Sequence, residues 1–195
     1  MSKSSHKLVE VEPPPATRPT RREKTERSLV RASREVFLKR GYDGATTGEI
    51  ARAAGVAAGT FYLYFGDKRS AFGAVSRETG RELLAQMLCA IEPGVDPGKL
   101  TRVTLKLVAE FWRADPPLSR LILSGGPALG MASDHAFVDE VCEDLGKIGV
   151  DDREDPMALS LFLIGLSLQI GHLIVARPEA EEQVHSLIDL ASSRF

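Results

Sequence analysis

Cysteine is nearly absent from this chain. The two thiols, Cys89 and Cys142, stand far apart in apolar helical patterns. They read as buried thiols rather than a disulfide or metal pair, which predicts a reducing, cytoplasmic setting. No apolar run follows the basic residues at the N-terminus, so no secretory leader is expected. Alternation of apolar and polar residues never lasts long enough to suggest a strand, and no internal repeat occurs. No nucleophile–base pair and no metal-ligand cluster has supporting spacing. A disulfide scaffold and a β fold are therefore excluded, and neither an enzyme active site, a metal nor a cofactor is expected.

The composition present is that of a soluble globular chain, with 43% hydrophobic and 27% charged residues. The net charge of −2 conceals a division. Residues 1–81 hold 16 Lys+Arg against 9 Asp+Glu, a net +7, and the remainder holds 9 against 18, a net −9. A basic first part joined to an acidic second part points to a polyanionic partner for the first.

Helical periodicity runs through almost the whole chain, and the fold class is all-α. Residues 1–20, with Pro13-Pro14-Pro15 and Pro19, predict a disordered arm. Leu29, Ala32, Ser33, Val36 and Phe37 then share one helical face, and Gly41 supplies a C-cap. Thr46 and Glu49 form the pattern of a capping box, so a second helix starts there and ends before Gly55. A third is expected through residues 58–65. Asp67 opens a fourth that continues to Ile91, about 36 Å long. Residues 21–66 thus read as a small head, and residues 67–195 as a connecting helix and a helical body.

The third helix begins with Ala58-Gly59-Thr60 and ends in Phe61-Tyr62-Leu63-Tyr64-Phe65, which holds a third of the chain's twelve aromatic residues. Two short helices joined by a Gly-containing turn describe a helix-turn-helix. In that motif the first residues of the second helix face base edges in the major groove, and small side chains there allow the backbone to come close. Phe61 and Phe65, four apart, are expected to pack inward against the first helix. Tyr62 faces outward, and Tyr64 and Lys68 can place a hydroxyl and an ammonium on phosphates. Arg18, Arg21, Arg22 and Lys24 precede the first helix, either as minor-groove or phosphate contacts or as a solvated tail.

Over residues 25–73 this pattern resembles the DNA-binding domain of the TetR family of bacterial transcription regulators. The matching residues are Phe37, Gly41-Tyr42, Thr46-Thr47-Gly48-Glu49-Ile50-Ala51, Ala54-Gly55-Val56, Gly59-Thr60-Phe61-Tyr62-Leu63-Tyr64-Phe65 and Lys68. The resemblance implies that Thr46 and Thr47 approach phosphate, that Ala58, Gly59, Thr60 and Tyr62 line the groove, and that Tyr64 and Lys68 hold phosphates. It also implies a homodimer on double-stranded operator DNA, and the mostly apolar residues of the cavity expected further along the chain predict that the effector releasing it is small and largely hydrophobic. Two departures stand out. Ala57 occupies a position where the family usually has Ser, so the recognition helix lacks a side-chain cap worth ~1 kcal/mol. Gly48 can reach no base edge, which shifts specificity toward Thr60, the arm arginines and DNA shape.

Beyond residue 90 only the helical pattern agrees with the family. Residues 156–176 carry no charged side chain across 21 positions, long enough for a membrane span. Ser160, Ser167, Gln169 and His172 interrupt that run, and a helix buried on all sides is the preferred reading. The resemblance implies that the last two helices pair with those of a second subunit. Ser160, Ile164, Ser167 and Gly171, with Val184, Leu187, Ile188 and Ala191, are the expected dimer face. An effector cavity is expected among Leu107, Phe111, Trp112, Phe137, Val141, Phe162, Leu166 and Gln169. His172 fits either a cavity or an interface, and His135 a surface position. The glycine-rich segment 125–130 lacks the Lys-Ser/Thr of a phosphate loop and reads as an ordinary loop. Two functions follow: a ligand-responsive dimeric DNA-binding regulator with no membrane partner, or a small-molecule-binding or enzymatic domain in which the helix-turn-helix is only scaffold. Gly59-Thr60, Lys68 and the basic N-terminal charge favour the regulator.

Overall fold

The computed structural model describes residues 18–91, 95–124, 135–148 and 155–193. The Pro-rich run of the arm, the break at residues 92–94, the glycine loop at 125–130 and the side chain of His135 lie outside them. Among the described residues the secondary structure is nine helices and no strand. The head comprises α1 (Arg21–Gly44), α2 (Thr47–Ala53) and α3 (Ala58–Phe61), and α4 (Lys68–Ala90) leads out of it. The body adds α5 (Pro97–Ala114), α6 (Pro116–Ser124), α7 (His135–Ile148), α8 (Pro156–Ala176) and α9 (Glu181–Ser192).

Local chemistry sets these boundaries. Glu23 N donates to Thr20 Oγ1 at 3.2 Å, and Thr20 N donates to Glu23 Oε2 at 2.8 Å. This capping box starts α1 at Arg21, eight residues before Leu29, the first residue of the apolar stripe. Arg21, Arg22 and Lys24 therefore sit in the first turn of a helix, not in an arm before it. Gly41, at φ +72°, interrupts the helix where the sequence places a C-cap, and only a single turn continues to Gly44. The second capping box forms as expected between Thr46 and Glu49. Its helix closes in a Schellman turn, with Val56 N donating to Ala51 O at 3.0 Å and Gly55 N to Arg52 O at 3.1 Å. Gly55 supplies the left-handed φ of +72° that the turn requires.

Helix α3 is shorter than expected. Beyond Phe61 the chain tightens into i→i+3 bonds, Leu63 N to Thr60 O and Tyr64 N to Phe61 O. Ala57 offers no side-chain cap at its start. Pro116 does end α5, but it also opens α6, because Leu118 N donates to Asp115 Oδ1.

The head core gathers Leu29, Phe37, Ile50, Phe61, Phe65 and Phe72, all buried. Phe37, Tyr42 and Phe72 form an aromatic triangle with centroids 5.1–5.7 Å apart. In the body α5 packs against both α8 and α9, while α6 and α7 flank α8. At about 34 Å, α4 spans both parts. Phe72 and Val75 are buried at its head end, and Leu83, Leu84 and Met87 at its body end. Arg34 of α1 ties the two parts, with Nη1 2.9 Å from Glu82 of α4 and Nη2 4.0 Å from Asp115 before α6.

Helix α8 corrects two expectations. Ser160 and Ile164 are buried within their own protomer, and Ser167 lines an internal cavity. A Cβ on Gly171 would lie 2.7 Å from Leu123 Cδ1 and 3.0 Å from Trp112 Nε1. The small-residue stripe thus faces the protomer's own core, where Gly171 lets Trp112 approach, rather than a second subunit. Val184, Ile188 and Ala191 are likewise buried inside, with Leu187 half-buried. The outward arc of α8 carries Met157, Leu161, Phe162, Gly165, Gln169 and His172. Phe162 and Gln169, expected in a cavity, lie on this outer face. Cys89, expected to be buried, is exposed, and Cys142 is half-buried.

Candidate nucleic-acid interface

The start of α3 stands clear of the rest of the protein. Ala57, Ala58 and Gly59 are exposed, as is Gly48 at the start of α2. A Cβ added to Gly48 or Gly59 would meet nothing within 4 Å, so no internal contact demands glycine at either place. Thr60 is half-buried beside them. After the helix come Tyr62 and Leu63, 58% and 75% exposed, while Phe61 is fully buried. The aromatic cluster therefore divides as its spacing suggests. Phe61 and Phe65 touch at a centroid distance of 5.6 Å and anchor the element, and Tyr62 points away from it.

Two pairings bring the expected contact residues together. Thr47 Oγ1 and Tyr62 OH lie 3.0 Å apart, joining the first turn of α2 to the end of α3. Arg22 stacks its guanidinium 5.9 Å from the Tyr64 ring centroid. Around this second pair is an open cleft lined by Arg21, Arg22, Thr25, Thr60, Leu63 and Tyr64. Leu63 and Thr25 were not singled out in the sequence; the extreme exposure of an apolar side chain is visible only in three dimensions.

Thr46 and Lys68 are placed differently from the other expected contacts. The Thr46 hydroxyl donates to Glu49 Oε2 at 3.0 Å and accepts from Glu49 N at 3.2 Å, so it is committed to the cap. That same hydroxyl, ahead of the backbone N–H of Thr46 and the Arg40 guanidinium, holds the Glu49 carboxyl below its ordinary 4.5. Asp67, which caps α4, is held below its ordinary 3.8 first by the Ser70 backbone N–H. Lys68 Nζ donates to Asp43 O at 3.1 Å and Ala45 O at 3.2 Å, and lies 4.7 Å from the Tyr42 ring centroid. It pins the turn between α1 and α2, leaving one of its three N–H groups for anything outside.

The family model described as bacterial regulatory proteins, tetR family, matches residues 29–75. The head is a TetR-family DNA-binding domain. No curated protein matches the chain. The whole chain nevertheless shares its fold with TetR-family regulators of known structure. One such regulator from Pectobacterium atrosepticum has a TM-score of 0.66 at 20% identity, over 91% of this chain and 96% of that one. The repressor AlkX from Dietzia sp. strain DQ12-45-1b, implicated in biodegradation of n-alkanes, gives 0.61 at 16% identity over 87% and 94%. FadR from Bacillus subtilis, solved in complex with stearoyl-CoA, gives 0.59 at 16% identity over 87% and 98%.

Lys68→Ala tests whether this side chain does more in the TetR-family head than hold the turn between α1 and α2. Losing the two charge-assisted hydrogen bonds and the ring contact is expected to cost ~1–3 kcal/mol of stability. If the remaining N–H also meets a phosphate, affinity falls on every DNA sequence and the salt slope flattens by about one unit. Thermal melting and salt-dependent anisotropy read the two effects apart. A lower midpoint with an unchanged slope would make Lys68 a structural residue only.

The residues expected to line an effector cavity are dispersed. Phe137 and Val141 do line a cavity between α4, α5, α7 and α8. Leu107 and Phe111 open instead onto an acid-rimmed surface cleft with Glu82, Glu110 and Asp115. Trp112 is wholly buried between them, Leu166 is half-buried, and Phe162 and Gln169 face out. The α4 residues Gly80, Leu83, Leu84 and Met87, absent from the expected set, complete the cavity wall.

Proposed function

We propose that the protein is a homodimeric transcription regulator, acting as a repressor, that leaves a palindromic operator when a small hydrophobic effector binds its body. The observation that carries the DNA half is the face where an uncapped, exposed Ala58-Gly59-Thr60 start is flanked by the Thr47–Tyr62 pair and the Arg22–Tyr64 stack. Ala58, Gly59 and Thr60 enter the major groove, while Thr47, Tyr62, Tyr64, Arg21 and Arg22 hold phosphates on either side. The free N–H of Lys68 adds to them. Thr46 acts through its cap, by fixing the direction of α2.

The partner face is the outer arc of α8 together with the exposed side of α9. Only a third of the apolar span from Met157 to Ala176 is buried within the protomer. Leu161 is 50% exposed and Leu190 of α9 is 56% exposed. Both helices lie on α5 and touch each other, and in this reading their exposed apolar residues serve as one surface. Packing them on the same pair of a second copy buries an apolar surface that would otherwise meet water.

The effector half draws support from the chemistry of related folds, since one neighbour is bound to stearoyl-CoA and another is implicated in n-alkane biodegradation. Helix α4 lines the internal cavity at one end and carries Phe72 in the head core at the other. An effector that favours a different tilt of α4 moves the two heads apart. It must bind that state more tightly, because equal affinity shifts nothing.

Gly59→Ala tests the DNA half. A Cβ there meets open space, and alanine in a helix is favoured over glycine by roughly 0.5–1 kcal/mol, so the variant should be at least as stable as the parent. If the groove wall lies against this backbone, DNA affinity still falls about tenfold. Equal affinity in the two proteins would remove the start of α3 from the interface.

A further inference from the structure

The element from Ala54 to Phe65 lacks the side chains that ordinarily tell base pairs apart. Arg or Lys marks guanine, Asn or Gln adenine, and Asp or Glu cytosine, each through hydrogen bonds to a base edge in the major groove. None of these six residue types occurs between Ala54 and Phe65. Three hydrogen-bonding side chains remain there. The Tyr62 hydroxyl is paired with Thr47 Oγ1 at 3.0 Å, and the Tyr64 ring is stacked against Arg22. That leaves Thr60, whose hydroxyl can donate or accept and so discriminates little between base edges.

What this element does present is an apolar stripe. Thr60 N donates to Ala57 O at 2.9 Å, and Leu63 N to Thr60 O at 3.1 Å. Successive i→i+3 bonds bring side chains three apart into line, so Ala57, Thr60 and Leu63 share one edge. All three border the open cleft beside Arg21 and Arg22. Leu63, at 75%, is the most exposed large apolar side chain among the described residues. Phe61 and Phe65, two positions to either side, are buried and anchor the element, so the head core makes no demand for a leucine between them. Leu161 and Leu190, the next most exposed aliphatic side chains, belong to the proposed subunit face, whereas Leu63 lies on the proposed DNA face. In the major groove the group that matches an apolar side chain is the C5-methyl of thymine.

We propose that Leu63 is a specificity-determining residue that selects thymine, its δ-methyls packing on a thymine C5-methyl in each half-site, with the Thr60 methyl and the Ala57 Cβ continuing the contact. Phosphate contacts hold the protein on any sequence, and this methyl contact chooses among sequences in place of hydrogen-bonded readout. The proposal deepens the DNA half of the proposed function and rests on that reading.

The test uses the full-length protein and the duplex it enriches from a random pool, remade with deoxyuridine for thymidine one position at a time. Deoxyuridine keeps the pairing edge and the phosphates and removes only the methyl. At a contacted thymine the exchange should weaken binding about fourfold, the worth of one buried carbon. The salt slope should not change, since no phosphate contact is lost. Leu63→Ala should melt with the parent and bind the unmodified duplex about tenfold more weakly, because more than one carbon leaves the contact. It should also lose the deoxyuridine penalty at that thymine, and this coupling is what ties the side chain to the methyl. Leu63→Met, which keeps an apolar tip, should retain the penalty. The proposal is overturned if no deoxyuridine exchange changes affinity. It is equally overturned if Leu63→Ala keeps the full penalty, since a penalty that persists without the leucine is one of DNA shape. Salt-dependent binding in either of those cases leaves the DNA-binding reading standing, whereas a parent protein that enriches and binds no duplex removes both.

Discussion

Leu161→Asp is expected to leave the protomer folded, convert the proposed dimer to monomers and lower operator affinity by a factor of about 10²–10⁴. Leu161 sits in the middle of the outer arc of α8, half exposed, so the carboxylate remains in water in the monomer. In a symmetric dimer the same residue is repeated across the two-fold axis, and the substitution places two like charges in an apolar seam. The affinity loss is the value of tethering. Two linked heads bind the second half-site at an effective concentration in the millimolar range, and a monomer forfeits that gain entirely. Gly165→Trp, on the same arc with open space around its Cβ, should act alike by bulk rather than by charge. Sedimentation and operator titration check both variants. Intact dimers from the pair would place the subunit contact elsewhere.

Gly171→Leu is expected to do the opposite, damaging the protomer before any assembly is formed. Even a Cβ there would come within 2.7 Å of Leu123 and 3.0 Å of Trp112, and both of those neighbours are buried. Trp112 has little freedom to retreat, being held among α5 and its neighbours. Overpacking of this kind costs ~1–3 kcal/mol and sometimes more. For a domain of this size that corresponds to roughly 2–12 °C in the melting midpoint. Because Trp112 is the only tryptophan, its emission should shift to the red as the indole is displaced. A variant with native melting and native emission would show that the core is looser here than the packing indicates. The two substitutions, ten residues apart on one helix, thus separate its outer and inner faces.

The sequence made the head far more legible than the body. The Thr46–Glu49 capping box, Gly55 and the Phe61–Phe65 pair are local signals with single structural solutions, and each forms as its spacing suggests. Where the head differs from that pattern, a further cap or a main-chain contact decides the outcome. Thr20 and Glu23 start α1 before its apolar stripe begins, and Asp43 and Ala45 present carbonyls that hold Lys68. Helix α8 was illegible for a different reason. It is apolar on every side, so periodicity carries no information about which side meets the protomer core. A stripe of small residues suggested close helix approach, and that was right for Gly171 but named the wrong neighbour, since Trp112 of the same chain fills the space. The effector set failed in the same way, because Leu107, Phe111 and Trp112 share a stripe yet reach a surface cleft and a closed core. Leu63 belongs to the run that resembles the family, but nothing in that run shows that its apolar side chain is exposed.

The most direct test of the account is selection of DNA from a random pool by the full-length protein, followed by titration of the enriched sequence at several salt concentrations. A dimer presenting two α3 elements should enrich a partial palindrome whose half-site centres lie one helical turn apart, about 34–36 Å, or a multiple of it. The logarithm of affinity should fall linearly with the logarithm of salt concentration, with a slope set by the number of phosphates that the proposed contacts of Thr47, Tyr62, Tyr64 and the α1 arginines engage. Enrichment of no sequence, or a single unrepeated half-site bound with affinity indifferent to salt, would contradict it.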